Sequence, residues 1–150
     1  MATTKYNGKS IQELAGYTDS IRITHADLTA SATSETITKT VKAGQQVRGV
    51  AFKVHTAFDG GATSALKLDV GDGDDADGYI DNEEIHVDAT EVLFGPALDG
   101  LLTGKTYAAD DTIDILFSAT GANVSVLDAG EVEIFFNIIS LNDVSADFAG

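Results

Sequence analysis

Residues 49–58 read GVAFKVHTAF, and the phase of their apolar side chains decides the fold. Val50, Phe52, Val54, Thr56 and Phe58 fall at every second position, with Ala51, Lys53, His55 and Ala57 between them. A period of two puts the first set on one face of an extended strand and the second on the other, so this is a strand with one buried face. Val47 is out of phase with the series from Val50. With Gly49 between them, a β-bulge would bring Val47 back to the inward side.

The same period recurs on both sides of this stretch. Leu66, Leu68 and Val70 alternate with Lys67 and Asp69 after the turn signal Asp59-Gly60-Gly61, which predicts a hairpin from the first strand into the second. Ile85 and Val87 alternate with Glu84, His86 and Asp88. Ile113, Ile115 and Phe117 alternate with Asp114 and Ser118, and Ile21 and Ile23 with Arg22 and Thr24. TITKT at 36–40 is rich in β-branched residues. About eight strands at short spacing with turn signals between them predict an all-β fold, an antiparallel β-sandwich or barrel. A weak helical turn is expected at 10–14. Residues 1–19 read as an N-terminal arm, 20–150 as the β-sandwich domain, and Gly95 to Lys105 as a long connection. Ala-Gly leads into a strand at Ala43 and again at Ala129, an echo too short to establish a repeat.

The strand EVEIFFNIISL, residues 131–141, departs from simple alternation. Val132, Ile134, Phe136 and Ile138 form one apolar face, but Phe135, Ile139 and Leu141 load the other. Leu116 likewise stands on the polar face of its strand. Either the domain covers these residues itself or a second subunit does. Leu116, Phe135, Ile139 and Leu141 are therefore candidates for a subunit interface.

Composition restricts function. The chain of 150 residues is 43% hydrophobic, enough for one packed core. Its net charge of -15 and pI near 4.2 repel phosphate backbones and anionic lipid, so neither nucleic acid nor membrane is an expected partner. Without cysteine there is no disulfide, thiolate ligand or catalytic thiol. The first residues lack the apolar core of a secretory signal, and no apolar run approaches the roughly 20 residues of a membrane span, so folding in a cytoplasm is expected.

The motif closest to a metal site is DVGDGDDADGYIDNEE, residues 69–84. Aligning Gly78 with the invariant glycine of an EF-hand loop puts Asp75, Asp77 and Glu84 at ligand positions and Ile80 at the usual apolar one. The first ligand position falls on Gly73, and Asp72 meets it only with an inserted residue. The flanks alternate as strands, where an EF-hand needs helices. Calcium held by Asp72, Asp75, Asp77 and Glu84 is thus weighed against a solvated acidic turn between the two sheets. No other cofactor is expected. GKT at 104–106 lacks the upstream glycine and following helix of a phosphate loop. His55 and His86 read as outward and His25 as inward, scattered without ligand spacing. No Ser/His/Asp arrangement with a nucleophile elbow is present, and there is no tryptophan to stack a sugar. The chain is not expected to be an enzyme.

Two segments, LKLDVGDGDDADGYID from Leu66 and YAADDTIDILFSATGANVSVLDAGEVEIFFNI from Tyr107, resemble small virion proteins of tailed bacteriophages, among them jelly-roll capsid decoration (cement) proteins. The resemblance implies a non-enzymatic structural protein, commonly a homotrimer, that binds the major capsid protein at capsomer junctions on the capsid exterior after synthesis in the host bacterial cytoplasm. It supplies no catalytic residues. Under it, Tyr6, Ile11, Leu14 and Tyr17 are candidate apolar anchors by which the arm grips the shell, or else the arm folds back on its own subunit. The alternative is a tail-fibre or receptor-binding β-sandwich module, with or without calcium.

Overall fold

The computed structural model describes residues 16–87 and 104–143, together with the backbone of three short strands outside those ranges. The strands are β1 (Lys5–Tyr6), β2 (Lys9–Ser10), β3 (Asp19–Thr24), β4 (Ser34–Val41), β5 (Gln45–Asp59), β6 (Ala65–Gly71), β7 (Ile80–Glu84), β8 (Phe94–Pro96), β9 (Lys105–Thr106), β10 (Asp111–Thr120) and β11 (Ala129–Ser140). They form an antiparallel β-sandwich. Sheet I has the order β4-β10-β6-β7 and sheet II the order β3-β11-β5-β8, with β9 also beside β5. β1 and β2 pair with each other. Ser10, expected in a helical turn, is in β2; the rest of that expected turn lies outside the described residues. Gly95 and Lys105, the expected limits of a long connection, both belong to strands along the edge of β5.

The pairing is nested: β3 lies beside β11, β4 beside β10, β5 beside β8 and β6 beside β7, each pair antiparallel. Alternate residues point inward as their phase requires. Val50, Phe52, Val54, Phe58, Val132, Ile134 and Phe136 of sheet II face Leu66, Leu68, Val70, Ile113, Ile115 and Phe117 of sheet I, all buried. The rings of Phe58 and Phe117 stand 6.1 Å apart. The bulge at Gly49 is present. Asn137 pairs with Gly49 and Ile138 with Val47, leaving Arg48 as the extra residue and both Val47 and Val50 buried. Thr56 breaks the expected phase and is exposed, because the pairing with β11 slips again between Glu131 and Val132.

Two connections differ from expectation, and they trade places. β5 and β6 are not a hairpin: the chain crosses from sheet II to sheet I through Gly60 and Gly61, so their apolar faces meet across the core. Gly60 has φ 140°, and a Cβ there would run into the backbone of Leu127 and Asp128. Only glycine permits so close a crossing. Conversely, the acidic stretch after β6 does not join the sheets. It closes the hairpin between β6 and β7 within sheet I.

Candidate functional site

At the tip of that hairpin the chain carries Asp72, Asp74, Asp75 and Asp77 before Tyr79 enters the core. The side chain of Asp72 is 0% exposed. Burial alone would push its carboxyl up, but its partners outweigh burial and hold it below the ordinary aspartate value. Lys105 Nζ lies 2.7 Å from Oδ2, and the Tyr107 hydroxyl donates to the same oxygen at 2.7 Å. Oδ1 accepts the backbone N–H groups of Asp74 at 2.9 Å and Asp75 at 3.2 Å. Tyr79 and Tyr107, both buried, share a hydroxyl contact of 3.0 Å. Burial, and in Tyr107 the neighbouring Tyr79 and Asp72, raises both phenols above their usual value, so they serve as neutral donors. Lys105 also reaches Asp74 at 2.8 Å and lies over the Tyr107 ring; Asp72 first and Asp74 second hold its ammonium charged.

This cluster clamps the hairpin tip to the segment around β9. The lysine of GKT belongs to it, so the residue that invited a phosphate-loop reading neutralises a buried aspartate instead. The same clamp bears on the calcium candidates. Asp72 already spends its lone pairs on an ammonium, a phenol and two N–H groups. Asp75 and Asp77 remain at the tip, close enough that the Asp77 carboxyl raises that of Asp75. Glu84 is not with them. It ends β7 opposite Lys67, where it accepts the N–H groups of Leu66 and His86 at 2.9 and 3.0 Å. The four expected ligands are therefore not gathered into one set, and no three His, Asp or Glu side chains group as metal ligands among the described residues.

A second charged cluster was missed by the sequence reading. Glu133 is phased outward on sheet II yet only 2% exposed. Its Oε2 contacts His55 Nε2 at 2.8 Å and Arg22 at 3.2 Å, and Ser20 Oγ donates to Oε1 at 3.2 Å. Hydroxyl, carboxylate and imidazole are all present, but in the wrong order for nucleophilic catalysis. The carboxylate stands between serine and histidine, so His55 is not placed to take the Ser20 proton. The signal was available in the pairing of β3, β11 and β5, which aligns Arg22, Glu133 and Lys53 in one row. His86, expected outward, is buried at 2% exposure with Nε2 3.7 Å from Asp59. It follows β7 and forms a bridge to Phe58 at the floor of the crossing between sheets. His25 lies half-buried in a 3-10 turn at His25–Asp27 instead of in the core.

The interface and anchor candidates fall in different places. Phe135 and Ile139 share the outer face of sheet II. Leu116 is half-buried on the outer face of sheet I between Thr36 and Asp69, and Leu141 is 43% exposed beyond the end of β11. They do not make one continuous face. Tyr17, taken as an anchor, packs its ring on Phe135 at 5.9 Å. Thr18 fixes it there: its N–H donates to the Phe136 carbonyl at 2.8 Å, and its hydroxyl accepts the Ile138 N–H at 2.9 Å. The described end of the arm thus folds onto its own subunit. The side chain of Tyr6 and all of Ile11 and Leu14 lie outside the described residues. No protein-family model, curated protein or solved structure matches the chain.

Proposed function

We propose that the chain is a non-enzymatic structural protein of a tailed-bacteriophage virion, a decoration protein that binds the capsid exterior and stabilises the head. The observation that carries this reading is the nested strand pairing, β3 with β11, β4 with β10, β5 with β8 and β6 with β7. A long hairpin wrapped into two sheets would pair its strands in this way, which supports reading the sandwich as a jelly roll. Fold alone assigns no function. The nesting supports the proposal because it agrees with the architecture implied by the resemblance in residues 66–81 and 107–138.

The charge distribution fits the role. The carboxylates of Asp74, Asp75 and Asp77 crowd the tip of a hairpin that the buried clamp holds rigid, so one end of the sandwich is strongly negative and suits a solvent-facing pole. Attachment would come from the arm ahead of Tyr17, and a homotrimer through the apolar half of the outer face of sheet II would multiply weak contacts with the major capsid protein. Two experiments test this. Purified protein is sedimented with capsids emptied of DNA, alongside a variant lacking residues 1–15, which keeps the contacts of Tyr17 and Thr18 with β11. Co-sedimentation of the full chain and its loss on truncation are expected. Cryo-electron microscopy of the virion then locates the chain, and density on the tail with a bare capsid would overturn the proposal in favour of a fibre module.

A further inference from the structure

Among the described residues β4 is an edge of sheet I: β10 lies along one side of it, and no described strand lies along the other. The direction of its free hydrogen-bonding groups follows from the ladder. The Ala119 N–H donates to the Thr33 carbonyl at 2.7 Å, and the register that pairs Ser34 with Ser118 puts Thr33 opposite Ala119. Antiparallel pairs alternate between those that exchange hydrogen bonds and those that do not. Glu35, Ile37 and Lys39 therefore bond to β10, while the N–H and C=O groups of Ser34, Thr36, Thr38 and Thr40 point away from it.

Natural edges are commonly blocked by proline, a bulge or charged side chains. β4 has no proline and no bulge, and its two charges are of opposite sign. Its register is unbroken, it contains neither proline nor glycine, and both charges are engaged within the chain, Glu35 by the Ala30 N–H at 2.9 Å and Lys39 by Asp19. The strand is also neutral overall in a chain of net charge -15, so two copies can approach here with little repulsion.

We propose that two copies of the chain pair β4 with β4, antiparallel, about a two-fold axis through Ile37. In that register Thr36 exchanges hydrogen bonds with the second copy's Thr38, and Ser34 with its Thr40. Every outward N–H and C=O of the four residues is then used. Glu35 stands opposite the second copy's Lys39, and the reverse, in the pairs whose side chains approach most closely. Moving the axis to Thr36 or Thr38 keeps the hydrogen-bond phase but sets both charges against uncharged residues. Sheet I continues across the axis as one sheet with an isologous contact. The surface is separate from the outer face of sheet II, and the inference stands whether or not the protein binds a capsid.

Sedimentation equilibrium over a wide concentration range tests it. Thr38→Pro removes an N–H that β10 does not use, so the sandwich should survive while the edge is blocked. The mass of the wild-type chain should rise towards twice that of this variant. Glu35→Lys should weaken association at least tenfold by facing like charges across the axis, and adding Lys39→Glu should restore it. A wild-type mass independent of concentration and equal to that of Thr38→Pro overturns the proposal. So does failure of the double charge exchange to rescue, or a folded Thr38→Pro variant whose mass equals that of the wild type at every concentration.

Discussion

Replacing Lys105 with methionine isolates what the clamp contributes. The variant keeps most of the apolar stem over the Tyr107 ring but deletes the ammonium 2.7 Å from a carboxylate whose side chain is 0% exposed. Breaking a fully buried ion pair costs about 3–5 kcal/mol, because a charge is left without its partner in a poor solvent. Lys105 is itself 24% exposed, and Asp72 keeps the Tyr107 hydroxyl and two N–H groups, so a discounted loss of about 2–3 kcal/mol is expected. For a domain of this size that lowers Tm by about 4–12 °C in a calorimetric or circular-dichroism melt. The pH dependence gives the signature. In the wild type the folded Asp72 carboxyl is below its ordinary value, so its contribution is present above that value and is lost as pH falls through the depressed one. Without Lys105 the largest of the lowering partners is gone, so the carboxyl rises from its wild-type value and protonation costs the variant less. The gap between the two proteins should therefore narrow as pH falls from about 7 towards about 4. Asp74→Asn is the control: that side chain is 82% exposed, and its loss should change stability by no more than about 0.5 kcal/mol. A Lys105→Met protein that melts within about 1 °C of wild type, with an unchanged pH profile, would refute the clamp.

Three further outcomes are expected. Gly130 has φ 135°, and a Cβ there would meet the buried Phe58 ring, so Gly130→Ala should lose about 3 kcal/mol or more in urea unfolding, far beyond an ordinary glycine-to-alanine change. Glu133→Gln keeps the shape of the side chain but removes the charge that Arg22 and His55 share; a loss of about 1–2 kcal/mol is expected, read as a lower urea midpoint at constant slope. Calcium at about 1 mM should leave Tm unchanged in wild type, since Lys105 already neutralises Asp72 and Glu84 lies elsewhere; a rise of several degrees would show that the hairpin tip assembles a site after all.

Strand phase was legible because a period of two leaves one physical choice of buried face. Val50, Phe52, Val54 and Phe58 point inward as read, and the misplaced Val47 announced the bulge beside Gly49. Strand partnership was not legible from the same signal. Leu66, Leu68 and Val70 alternate identically whether they lie beside β5 in one sheet or face it across the core, and Asp59-Gly60-Gly61 can make either turn. The crossing is fixed by the packing of Gly60 against Leu127 and Asp128, remote in sequence. Reading it as a hairpin in turn forced the acidic stretch into the role of sheet-to-sheet loop, when it is the true hairpin.

The charged clusters were hidden for a related reason. Motif reading looks for ligands at short spacing, whereas Lys105 meets Asp72 from 33 residues away and Arg22 meets Glu133 across β3 and β11. Composition did contain the clue. With nine basic residues against twenty-four acidic, a basic side chain can be drawn to any of several carboxylates, and the strongest demand comes from those the fold has buried. Asp72 and Glu133 are those carboxylates, each only 2% exposed, and Lys105 and Arg22 are drawn to them. By the same logic the remaining acids gather at exposed ends such as 74–77, where mutual repulsion is screened by water and salt. An edge strand in such a protein stays approachable only where its own charges cancel, and β4, carrying one glutamate and one lysine placed symmetrically about Ile37, meets that condition.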